Sequence, residues 1–156
     1  PHMSPSWGML ADLINHEISR WDYKFTQRNI KYELDLNPDL DPVFIDFEQI
    51  GRAMSNLISN SLDAMGVGGH LNISLTTEDD NQIISVADNG VGISAEDQLK
   101  IFEPFYTTKS RGTGLGLAIV EQIVEAHGGT VDLWSRPGQG TKITLSLPQN
   151  NHLPAG

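Results

Sequence analysis

The sequence contains no cysteine, which removes disulfides, thiolate metal sites and thiol nucleophiles and fits a reducing compartment. It has no apolar run of membrane-spanning length, and no signal-peptide pattern opens it. Basic residues are scarce. Ten Lys and Arg against 20 Asp and Glu give a formal net charge of −10, which argues against nucleic acid or an anionic membrane surface as the main partner. The two common phosphate-loop signatures are also missing. No Gly-Lys-Ser/Thr closes a glycine loop, and Gly112, Gly114 and Gly116 follow Pro104, two aromatics and a Thr-Thr-Lys-Ser run instead of a strand. Walker and dinucleotide folds are thereby set aside.

What is present suits one soluble domain: 156 residues, 38% apolar and 19% charged, enough for a sizeable core. Pro1-His2-Met3 reads as an expression-tag remnant within a disordered lead over 1–6. Apolar residues recur at helical spacing from Trp7 to about Gln27, predicting a helix over 7–28 that could end an upstream helical element. A domain over 29–148 follows, and residues 149–156 read as a disordered tail. Ile30 to Leu36 alternates like a half-buried strand. Asp46 caps a helix to about Met65. Leu71–Thr77 and Gln82–Ala87 read as adjacent antiparallel strands, Ser94 caps a short helix to about Ile101, and Leu117–His127 is an amphipathic helix stopped by Gly128-Gly129. Thr130–Ser135 and Lys142–Leu147 make a last hairpin. Helices and strands thus segregate into an α+β two-layer sandwich, a mixed, mostly antiparallel sheet with helices on one face.

Three stretches carry chemistry. Gly112, Gly114 and Gly116 lead into a helix N-terminus, where free N–H groups and the macrodipole favour an anion such as phosphate. Asn56 and Asn60 lie four apart in an apolar helix, so both face one side, with Asp63 a turn further on. Asparagine costs stability inside a helix, and amide and carboxylate oxygens are what Mg²⁺ accepts beside phosphate and water. Asp88-Asn89-Gly90-Val91-Gly92 ends a strand with an acid. It reads equally as a plain turn or as a carboxylate accepting the exocyclic amine of a base.

Taken together, Asn56–Ala64, Asp88–Gly92, Phe102–Lys109, Gly112–Leu117 and Gly138-Gln139-Gly140-Thr141 resemble the N, G1, F and G2 boxes and the final Gly-x-Gly-Thr of one family. That family is the catalytic ATP-binding domains of bacterial two-component sensor histidine kinases, and the likeness covers about Asp46 to Leu147. The resemblance implies the Bergerat, or GHKL, fold, with ATP between helices and sheet under a lid. It implies that Asn60 coordinates Mg²⁺, that Asn56 supports the same ion or phosphate oxygens, and that Asp88 accepts the adenine amine; Asp63, on the same polar strip, is a further ATP-binding candidate. Gly90, Gly92, Ile93 and Thr141 shape the base pocket, while Gly112, Thr113, Gly114, Leu115, Gly116 and Leu117 meet the phosphates. Phe102, Tyr106 and Thr107 line the lid side, and Lys109 and Arg111 are the candidates for the γ-phosphate.

Gyrase, MutL and heat-shock chaperones resemble this fold too. In those hydrolysing relatives a glutamate one turn before the metal-binding asparagine activates water; here that position is Asn56, which cannot act as a base. The resemblance therefore implies phosphoryl transfer to protein. His16-Glu17-Ile18-Ser19 is a superficial match to a phosphoacceptor box and reads as ordinary helix surface, while His70, His127 and His152 read as structural or solvated. The acceptor histidine is then expected on a separate domain of the same or a paired chain, with a response regulator downstream. The whole protein is expected to be homodimeric and this piece monomeric and cytoplasmic, with any membrane anchor upstream. A GHKL serine or anti-sigma kinase and a nucleotide-sensing module without transfer remain as alternatives.

Overall fold

A computed structural model describes residues 2–104 and 116–149. Five strands form one sheet in the order β2-β4-β5-β7-β6, built from Lys31–Leu36 (β2), His70–Glu78 (β4), Asn81–Asp88 (β5), Thr130–Arg136 (β6) and Gly140–Pro148 (β7). Only the β2–β4 pairing within it is parallel. The period-2 alternation of these segments sorts their side chains by face. Ile73, Val86 and Ile143 lie side by side across three strands, as do Leu75, Ile84 and Leu145, and all are buried. The intervening positions put Ser74, Ser85 and Thr144 in a row on the other face.

Helices α1 (Leu10–Gln27), α2 (Phe47–Met65) and α4 (Gly116–Ala126) cover the apolar face; α3 (Ala95–Gln98) is a single turn. Ile50, Met54, Leu57, Ile58 and Leu62 of α2 share one core with Leu10, Ile14, Ile18 and Phe25 of α1 and Val120 and Val124 of α4. The expected two-layer α+β sandwich is therefore the observed one.

Two elements differ from the sequence expectation. The first helix begins at Leu10 and not at Trp7, because Ser6–Gly8 is a strand (β1) paired antiparallel with Val43–Ile45 (β3). Extended backbone through Met9 holds it out of the helix, and Trp7 lies against Phe44 at 5.3 Å between ring centroids. The short helix capped by Ser94 stops at Gln98, before Ile101, because the Gln98 side chain turns back onto Ile93 and Ser135.

Asp46 is the N-cap of α2, as expected, and joins more than its own helix. One carboxylate oxygen accepts from Gln49 N–H at 3.1 Å and the other from Ser4 N–H at 2.9 Å. Its own N–H donates to His127 Nε2 at 3.1 Å, while His127 Nδ1 donates to the Ile123 carbonyl at 2.8 Å. This buried junction joins the leading strand, the start of α2 and the end of α4, and it gives His127 its structural role. Asp46→Ala is expected to lower unfolding free energy by about 1–2 kcal/mol, since a lost cap costs about 1 and the Ser4 N–H loses its partner as well. Urea unfolding checks this; a change below about 0.5 kcal/mol would contradict it.

Candidate functional site

The phosphate end of the site begins on α2. Asn56 and Asn60 are partly buried on the flank of α2, beside its apolar stripe. The first described residue of helix α4 lies against Asn60: a Cβ on Gly116 would lie 3.5 Å from its Nδ2. The Asn60 amide thus lies beside the first described turn of α4, with Asn56 one turn earlier on the same flank of α2. Leu117, in its first turn, is half-buried against the core.

The base end lies one residue further along α2. Asp88 closes β5 and accepts a hydrogen bond from Gly90 N–H at 2.9 Å, with the Ser61 hydroxyl and the Thr141 backbone as further partners. Burial nonetheless raises its pKa above the ordinary carboxylate value, and those three hydrogen bonds only partly offset it. Asp88 and Thr141 are direct partners across β5 and β7. Because Ser61 follows Asn60 in sequence, the carboxylate and the amide pair are held by the same helix turn.

The loop after Asp88 is locked in place from three sides. Val91 N–H donates to the Ala64 carbonyl at 3.1 Å and Gly138 N–H to the Val91 carbonyl at 2.7 Å. Gly92 has φ +74 and its α-carbon packs on the Arg136 carbonyl so closely that a Cβ would overlap it. Ile93 N–H donates to Ser135 Oγ at 2.8 Å, and Gln98 Nε2 bridges the Ile93 and Ser135 carbonyls at 2.8 and 2.9 Å. Gly90, Gly92 and Ile93 thus shape the base end through loop placement.

The structure brings together Asn56, Asn60, Gly116 and Leu117 at one end and Asp88, Gly90, Gly92, Ile93 and Thr141 at the other. Asp63 instead faces the end of α1, 3.8 Å from Arg28 Nη1, which also donates to the Leu62 carbonyl at 3.3 Å. Phe102 lies in the half-buried turn after α3. Tyr106, Thr107, Lys109, Arg111, Gly112, Thr113, Gly114 and Leu115 lie outside the described residues, as does His152. His16 is exposed on α1, and His70 is exposed with Glu33 3.6 Å away.

Ser61, Ser135 and Gln98 were not anticipated. Ser61 had a signal: it occupies an inner position of the stripe Met54, Leu57, Ile58, Leu62, where a hydroxyl needs a partner, and it is buried on Asp88. Ser135 and Gln98 act only through the folded contact between the loop and β6, which no spacing reveals.

Among the described residues no group of three or more His, Cys, Asp or Glu side chains is placed to hold a metal. An amide oxygen of Asn60 fits Mg²⁺ all the same, since that ion keeps several waters and takes most other ligands from phosphates.

Residues 45–151 match the family described as "Histidine kinase-, DNA gyrase B-, and HSP90-like ATPase". The sensor histidine kinase ZraS of Escherichia coli (strain K12) is 38% identical over 141 residues, which cover 90% of this chain and 30% of ZraS. The signal transduction histidine-protein kinase AtoS of the same strain is 39% identical over 125 residues, 80% of this chain and 21% of AtoS. This chain therefore spans under a third of the length of these relatives. Among solved structures, the nucleotide-free catalytic domain of histidine kinase ThkA superposes with a TM-score of 0.86 at 32% identity, covering 94% of this chain and 97% of that one.

The fold is that of a GHKL-type ATP-binding domain. The chain belongs to the family of histidine kinase-, DNA gyrase B- and HSP90-like ATPases, among the histidine-kinase catalytic domains. No helix among the described residues is long and apolar enough to cross a membrane.

Proposed function

We propose that the chain binds Mg²⁺-ATP and presents its γ-phosphate to a histidine on a separate dimerisation and phosphoacceptor domain. The observation that carries this is the pairing of an acceptor carboxylate, Asp88, with an amide strip on the same stretch of α2, beside the first described residues of α4, with no base at position 56. Asp88 receives the adenine amine, Thr141 and the locked loop flank it, and Asn60 with Asn56 and the Gly116 end of α4 holds the phosphates and their Mg²⁺. Bound Mg²⁺ neutralises charge on the phosphates. Phosphoryl transfer depends chiefly on positioning and charge stabilisation, so nucleotide site and acceptor can sit on different domains. Lys109 and Arg111 are assigned to the γ-phosphate on the resemblance alone, and Asp63, paired with Arg28, supports α2 from outside the phosphate mouth.

A response regulator is the expected recipient downstream, supported by a solved complex of ThkA with the response regulator TrrA, which this chain matches with a TM-score of 0.83 at 26% identity. The test is transfer in trans: this chain, Mg²⁺, γ-labelled ATP and the acceptor domain of its own full-length protein. Acid-labile phosphohistidine on the acceptor is expected, and Asn60→Ala should cut its rate on the order of 100-fold, the scale of removing a metal contact. Phosphoserine on an added protein substrate, or ATP hydrolysis that Asn60→Ala leaves intact, would contradict the proposal.

A further inference from the structure

Thr141 stands directly opposite Asp88 in the β5–β7 ladder, and side chains at such positions share one face about 5 Å apart. Its hydroxyl lies 2.8 Å from Ser135 Oγ. Ser135 has two further partners, the Ile93 N–H at 2.8 Å and the Gly140 carbonyl at 2.9 Å. A serine hydroxyl owns one hydrogen and two lone pairs. The Ile93 N–H can only donate and the Gly140 carbonyl can only accept. Ser135 therefore spends its hydrogen on Gly140 and one lone pair on Ile93. Its remaining lone pair can only receive, which obliges Thr141 to give its hydroxyl hydrogen to Ser135. Thr141 Oγ1 is left with lone pairs alone. Both residues are buried, Ser135 at 7% and Thr141 at 9% exposure, so bulk water does not reorient the pair. The Asp88 carboxylate beside it, when ionised, is likewise an acceptor without a donor.

We infer that Ser135 is the residue that fixes base selectivity: by holding the Thr141 proton, it makes the base end of the site an acceptor-only surface. Such a surface takes a purine with an exocyclic amine at position 6 and turns away one with a carbonyl oxygen there, whose lone pairs would face those of Asp88 and Thr141. The inference rests on the ATP reading of the same site and adds to it how adenine is told from hypoxanthine and guanine. Ser135 acts through Thr141 and is a positioning residue. Gln98 supports it by bridging the Ile93 and Ser135 carbonyls, which keeps the Ile93 N–H aimed at Ser135 Oγ.

The test compares dissociation constants for ATP and inosine triphosphate, whose rings differ in the 6-substituent, amine against carbonyl, and in the N1 hydrogen that goes with the carbonyl form, by calorimetry on wild type, Ser135→Ala and Thr141→Val. Wild type should prefer ATP. Ser135→Ala frees the Thr141 hydroxyl to rotate and donate to a 6-oxygen, so the preference should narrow by about tenfold, the worth of one hydrogen bond whose sense has been reversed. A purely structural role would weaken both nucleotides alike and leave the ratio unchanged, which would overturn the inference. If Ser135→Ala does not fold, Thr141→Val decides: removing the lone pairs should narrow the ratio, and an undiminished preference overturns the inference. Wild type binding neither nucleotide would overturn the ATP reading and this inference with it, whereas tight ATP binding with an unmoved ratio overturns this inference alone.

Discussion

Asp88→Asn is expected to weaken nucleotide binding by about 100-fold or more while leaving the unliganded fold at least as stable as wild type at pH 7. The carboxylate is the acceptor for the base amine, and hydrogen bonds to charged groups contribute about 1.5–3 kcal/mol, or roughly 10- to 100-fold in affinity. Asparagine does worse than an absence, because one of its two polar atoms is a donor that faces either the base amine or the backbone N–H of Gly90. The stability half follows from the raised pKa of Asp88, whose first cause is burial and whose hydrogen bonds to Gly90, Ser61 and Thr141 lower it only in part. A carboxyl group whose pKa is higher folded than unfolded favours the fold at low pH, and that contribution is lost as pH rises through the folded value. At pH 7 the ionised group therefore costs the empty protein stability, and a neutral amide relieves that cost. Binding runs the other way. Nucleotide affinity of wild type should decline as pH falls through the raised pKa, at a higher pH than an ordinary carboxylate would give. Thermal melts of the empty proteins and titrations across a pH series check both halves. A large loss of stability in Asp88→Asn would show instead that the carboxylate is there for the fold.

Gly140→Ala is expected to cost about 2–4 kcal/mol of unfolding free energy and to remove nucleotide binding with it. Gly140 has φ +86, and an added Cβ would overlap the Asp88 carbonyl oxygen while standing 2.9 Å from the Asp88 carbonyl carbon and 3.0 Å from Asn89 Cα. Backbone cannot swing aside as a side-chain tip can. The strain of the left-handed conformation, about 1 kcal/mol, therefore adds to overpacking of about 1–3 kcal/mol. The displaced strand would carry Thr141 and the Ser135 contact away from Asp88. Gly138, two residues earlier, is the control: its φ is +76, but a Cβ there meets nothing within 4 Å. Gly138→Ala should therefore cost only about 1 kcal/mol and spare binding. Equal unfolding midpoints in denaturant for the two variants would contradict the close-approach account.

Most of the sandwich was legible because its segments are long and periodic. The stripe Ile50, Met54, Leu57, Ile58 and Leu62, the cap at Asp46 and the alternation through β4, β5 and β7 each state one burial pattern without ambiguity. The pair β1 and β3 was not, since three-residue strands show no periodicity and Trp7 continues the helical spacing of the residues after it. The site divides along the same line. Asn56, Asn60 and Asp88 announce themselves because polar groups in an apolar helix and at a strand end are costly without a use. Asp63 was legible by its spacing from Asn60, whereas its ion pair with Arg28, just past the end of α1, belongs to the packing of α1 on α2 and leaves no mark in the spacing. Ser135 and Gln98 could not be found from spacing, because what they do depends on which hydroxyl holds which proton after the loop has closed onto β6.

The most direct test of the central claim is calorimetric titration of the wild-type chain with a non-hydrolysable ATP analogue, with and without Mg²⁺. Saturable 1:1 binding that weakens severalfold when Mg²⁺ is removed is the predicted result. No heat of binding from protein shown to be folded, or binding indifferent to Mg²⁺, would contradict a site in which Asn60 holds metal-bound phosphates and Asp88 receives the base.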